Sequence, residues 1–241
     1  MLRSGNPALK EGIFRQGTVM DASEAMTISG TVNKAFFMIV LLLFSASFVW
    51  SRPLAAAPFL LPSVIVGFVI ALVTIFKKEY SPVTAPIYAV VEGVVLGTIS
   101  SFFEARYPGI VIQAVGLTIS TLLCLLLAYK SGLIKVTENF KLGVVAATGG
   151  IALLYLVSIV MGFFGFNIGF IHSSGPIGIG FSVFVVIIAA LNLVLDFDFI
   201  EKGSEMNAPK YMEWYGAFAL MVTLIWLYLE ILRLLSKTRG R

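Results

Sequence analysis

Seven stretches of the chain carry apolar side chains at nearly every position, and polar residues return only in short clusters between them. The runs are Lys34–Trp50, Ala57–Phe76, Ala85–Phe103, Gly109–Tyr129, Leu142–Phe164, Gly175–Phe199 and Tyr211–Leu235, each bounded by charge, proline or glycine. A helix needs roughly 20 mostly apolar residues to cross about 30 Å of hydrocarbon, so each run predicts one crossing. The connectors, 51–56, 77–84, 104–108, 130–141, 165–174 and 200–210, are short enough to make successive helices neighbours. The expected fold is an all-α membrane protein, a seven-transmembrane-helix bundle. A polar N-terminal tail (1–33) on the cytoplasmic side precedes the membrane domain (34–235), and a basic tail (236–241) follows it. The N-terminal tail has no sustained periodicity and room for a short interfacial helix.

Composition agrees. With 59% hydrophobic and 12% charged residues in 241, the apolar surface exceeds what one soluble core could hide, so the lipid bilayer is the solvent. The first run starts too far from the N terminus for a cleavable signal and reads as a retained helix. Cys124, the only cysteine, excludes an intramolecular disulfide and reads as a packing residue.

The net charge of +4 gathers between the apolar runs, which is topology control and not a nucleic-acid face. With the N terminus inside, Arg3, Lys10, Arg15 and Lys34 share the cytoplasmic side with Lys77, Lys78, Lys130, Lys135, Lys141, Lys202 and Lys210. Only Arg52 and Arg106 fall opposite. Arg233, Lys237, Arg239 and Arg241 conflict with this bias: seven spans put them outside, and one broken or re-entrant run would put them inside.

Small residues predict where helices approach closely in lipid. In the third span Ala89, Gly93, Gly97 and Ser101 form one stripe at four-residue spacing, which predicts a helix buried in the bundle. Gly143, Ala146, Ala147, Gly149 and Gly150 suggest close contact for the fifth span, and Gly175, Gly178 and Gly180 loosen the start of the sixth.

A carboxylate in hydrocarbon costs at least about 2.5–3.5 kcal/mol on insertion scales, so acids inside the runs are the candidate chemistry. Glu92, Asp196, Asp198 and Glu230 form this class. Glu92 lies beside the small-residue stripe. Asp196 shares a helix face with Asn192, one turn earlier. Asp198 is rotated by roughly 200° from Asp196 and is expected to pair with Lys202. Glu230 precedes Arg233 by three residues, an ion-pair spacing, and Thr223 lies two turns before it. His172, the only histidine, falls in a connector with no partner at metal-ligand spacing. No intramembrane protease pattern and no Walker loop is present, so the chain does not read as an enzyme.

The run Leu191-Asn192-Leu193-Val194-Leu195-Asp196-Phe197-Asp198-Phe199-Ile200, with Gly216-Ala217-Phe218-Ala219-Leu220 and the closing Leu229-Glu230-Ile231-Leu232-Arg233-Leu234-Leu235, resembles the Bax inhibitor-1 and YccA-like membrane family over about residues 34–235. The resemblance implies a seven-helix bundle with a central last helix, and a pH-sensitive calcium leak controlled by two aspartates that share a proton. Asp196 looks like the first aspartate. Thr223 stands where the second is usual, and the second span lacks the arginine that pairs with the aspartates in other members. Glu92 is the substitute this sequence offers.

Two like carboxylates in a low-dielectric site cannot both ionise cheaply, so Asp196 and Glu92 would share a proton and form the proton-sensing gate. The same pair would hold calcium transiently, with Asn192, Thr223 and Glu230 as polar neighbours or cation ligands. Calcium is then a permeant ion, and no cofactor is expected. The alternative is a non-transporting regulator that binds other membrane proteins, such as a quality-control protease, through its tail and lipid-facing helices. Short loops and the lack of retention signals point to a bacterial inner membrane.

Overall fold

Helix runs without a break through each of the seven apolar stretches. In the computed structural model, which describes residues 24–166 and 169–240, the helices are α1 (Ile28–Trp50), α2 (Pro53–Phe76), α3 (Ser81–Arg106), α4 (Ile110–Lys130), α5 (Glu138–Phe163), the single-turn α6 (Gly169–His172), α7 (Pro176–Glu205) and α8 (Met212–Arg239), with a 3-10 turn at Lys78–Tyr80. Among the described residues seven helices are long and apolar enough to cross a membrane. The chain is an all-α, multi-pass integral membrane protein.

The helices outrun the apolar stretches at their ends. Thr27 caps α1 by accepting a hydrogen bond from the Gly30 amide at 2.9 Å, one of the donors a helix start leaves open. Residues 28–33, read as polar tail, are therefore the first turns of α1, and residues 236–239 of the basic tail are the last turn of α8. The remaining tail residues, 1–23, with the interfacial helix envisaged there, lie outside the described residues. The connector holding His172 includes α6, whose last backbone position is that residue. Pro58 and Pro62 fall inside α2 without ending it.

An unbroken helix in every stretch means that, among the described residues, no apolar run is broken, and all seven are long enough to cross. The basic C-terminal residues are engaged in contacts of their own. Arg233 pairs with Glu230 at 2.9 Å, Arg239 donates to Gln113 Oε1 at 2.8 Å, and Lys237 is buried.

The described residues fall into two units, one of 24–108 with 196–222 and the other of 109–195 with 223–240. Helices α7 and α8 contribute one part to each. In the first unit α3 packs against both α1 and α2. The stripe foreseen in α3 is its α1 face: a Cβ on Gly93 would collide with Ser45 Oγ and the Leu42 carbonyl, and one on Gly97 would lie 2.6 Å from the Ala46 carbonyl oxygen. Without side chains at these two positions the backbones approach, and Ala89 and Ser101 are buried on the same stripe.

The fifth-span glycines do not behave this way. A Cβ at Gly143, Gly149 or Gly150 meets nothing within 4 Å, and all three positions are exposed. Composition identified them, but the α5 face that packs in the second unit is the one carrying Ala147, Ile151 and Tyr155, against Val185, Ile188 and Trp226. Cys124 is likewise exposed on α4 instead of packed in a core. Large apolar side chains such as Leu54, Phe59 and Phe68 of α2 point outward, the arrangement lipid solvates and water does not.

Candidate functional site

Asp196 lies on α7 within a run of buried residues, Leu193, Val194, Leu195 and Phe197. It is only 7% exposed, and its Oδ2 atom is sealed from solvent.

Glu92 belongs to the same unit and is half-buried on α3. Tyr88, one turn earlier, places its hydroxyl on the side of α3 that carries the Glu92 carboxylate. Tyr88 is itself buried and meets the Phe218 ring of α8 edge-on at 5.0 Å between centroids. Glu92 Oε1 lies 3.0 Å from where a Cβ on Gly67 of α2 would stand, so the bare glycine backbone leaves room for the carboxylate. Glu92 thus has Tyr88 beside it on its own helix and Gly67 of α2 close by.

The other candidates sit in local networks. Lys202 pairs with Asp198 at 2.9 Å, at the expected four-residue spacing. Glu230, 2% exposed, pairs with Arg233. Tyr155 of α5 joins them: its hydroxyl donates to Glu230 Oε1 at 3.0 Å and accepts from Arg233 at 2.7 Å. Asn192 donates to Thr148 Oγ1 and to the Ile188 carbonyl, both at 2.8 Å, tying α7 to α5. Thr223 is buried on α8.

A fifth acid, Glu213, which the four in-span candidates do not include, lies within the apolar run Tyr211–Leu235 and has no solvent exposure. Its Oε1 accepts from the Thr27 amide at 2.9 Å and the Thr27 hydroxyl at 2.8 Å. Lys34 is ion-paired to Oε2, and the more exposed Lys210 approaches Oε1 at 3.5 Å. A Cβ on Gly30 would run into this carboxylate. Beside it the Met26 amide donates to the Ala208 carbonyl at 2.6 Å, within a bridge pairing Ala25 with Pro209. The segment entering α1 is thereby strapped to the α7–α8 connector. The local signal was the Lys210/Glu213 spacing at a helix start; the partners Thr27 and Lys34 are far away in sequence.

Among the described residues no three His, Cys, Asp or Glu side chains converge as a metal site would require. Compared with known families, the chain matches the one described as Bax inhibitor 1 like over residues 6–240. No curated protein matches, and no solved structure does.

Proposed function

The chain belongs to the Bax inhibitor 1 like family, and from that premise we propose that it is a pH-sensitive leak for calcium and similar cations in a bacterial inner membrane. In this reading it is a conductor and not an enzyme, with Asp196 and Glu92 as the titrating gate. The observation that carries the reading is the burial of Asp196, 7% exposed on a membrane-spanning helix. Ionisable groups at such positions are costly and generally mark ion or proton paths.

With one proton shared, the two carboxylates carry a single charge. Loss of that proton leaves two like charges in a medium that screens them poorly, and the strain is relieved by helix separation or by an entering cation. Calcium accepts oxygen ligands in flexible geometry, and with so few carboxylates its stay is short, as conduction requires. The Tyr88 hydroxyl stands near the Glu92 carboxylate and is the polar neighbour that bears on its charge.

The test is calcium flux into proteoliposomes between about pH 5 and 8, the window in which a coupled carboxylate pair changes charge. Wild type, Asp196→Asn and Glu92→Gln are compared. The proposal expects wild-type flux with a pH dependence that both variants lose. Flux no greater than that of empty liposomes would overturn it.

A further inference from the structure

A lysine near the end of α8 sits where a free cation would sit. Lys237 is 5% exposed, and among the described residues it is the only lysine or arginine that is buried. Its ammonium donates to the Ile171 carbonyl at 2.6 Å, the Ser182 hydroxyl at 2.8 Å and the Gly178 carbonyl at 3.1 Å. An ammonium has three donors and no acceptor, so its capacity is filled. Every acceptor is a neutral oxygen.

This is not how lysines near a membrane surface usually behave. Their long stems normally carry the charge outward to water and headgroups. Lys237 turns inward, toward α6 and the first turns of α7. The positive end of the α7 dipole disfavours a cation there, so the oxygens must hold it. Carbonyl and hydroxyl oxygens without a carboxylate suit a monovalent ion, whereas calcium and magnesium sites are built around carboxylates.

We infer that the Ile171 carbonyl, the Gly178 carbonyl and the Ser182 hydroxyl form a monovalent-cation site of the potassium and ammonium class, filled in this chain by its own Lys237 ammonium. The site docks the last turn of α8 onto α6 and α7. Because the ammonium is tethered, its effective concentration is high and free ions do not displace it. Removing the tethered charge exposes the site to ions from solution. The inference is independent of the leak proposal.

The experiment is thermal unfolding of the full chain in detergent, wild type against Lys237→Ala, in potassium, ammonium, methylammonium or choline chloride at equal ionic strength. The expected result is a variant whose Tm rises by several degrees in the first three salts relative to choline, beside a wild type that does not distinguish them. Adding Ser182→Ala to the variant should abolish the response. A folded Lys237→Ala that responds alike to all four salts overturns the inference. If that variant does not purify folded, Lys237→Met retains the stem without the charge and takes the same comparison. Recovery of folded protein in methylammonium but not in choline supports the site, and recovery in neither overturns it.

Discussion

Gly97→Ala adds a single methyl group to the face of α3 that meets α1. That methyl would stand 2.6 Å from the Ala46 carbonyl oxygen and 2.8 Å from the Ala46 Cα, roughly 1 Å inside ordinary contact. Both obstacles are backbone, so no side chain can rotate away and α1 has to retreat. Overpacking of this kind costs about 1–3 kcal/mol, and a rigid backbone obstacle places it near the upper end. Alanine returns up to about 1 kcal/mol through its better helix propensity. The expected net loss is about 2 kcal/mol. Gly149→Ala is the matched control, because its methyl meets nothing within 4 Å; it should keep the propensity gain and be neutral to slightly stabilising. The assay is reversible unfolding in mixed micelles by detergent titration, followed by tryptophan fluorescence. Equal midpoints for the two variants would refute the packing argument.

Three further outcomes are expected. Glu213→Ala leaves the Lys34 ammonium and the Thr27 amide without their partner and should cost about 3 kcal/mol in the same titration, whereas Lys210→Ala, at an exposed and longer pair, should cost under about 0.5 kcal/mol; equal losses would contradict the burial argument. Asn192→Ala removes the bond between α7 and α5 and should cost about 1 kcal/mol, and an unchanged midpoint would show that the bond contributes nothing. Tyr88→Phe keeps the ring against Phe218 but removes the hydroxyl beside Glu92, so stability should hold within about 1 kcal/mol while the pH dependence of flux shifts; a profile superimposable on wild type would remove Tyr88 from the gate.

How much was legible follows from the range of each interaction. The seven spans were readable because hydropathy is a property of the local run, and the Gly93/Gly97 stripe because helical spacing is local too. Asp198–Lys202 and Glu230–Arg233 were readable as pairs within one turn. Tyr155 was not, because it reaches Glu230 from another helix. Glu213 is not legible because it sits at the edge of an apolar run and its partners Thr27 and Lys34 belong to the start of α1. The fifth-span glycines misled because small residues permit close approach without requiring it, and which face of α5 packs is decided by Ile151 and Tyr155. Lys237 read as a basic tail residue, since nothing in the sequence around it shows that carbonyls of α6 and α7 converge on its ammonium.

The central claim is that Asp196 and Glu92 act together on conduction, and the double variant tests it most directly. Calcium flux is measured in proteoliposomes across the pH range for wild type, Asp196→Asn, Glu92→Gln and the two combined. Groups sharing one proton are not independent, so the account predicts that the double variant behaves like either single one, with the second substitution adding little. Two separate effects that simply add would contradict a shared gate.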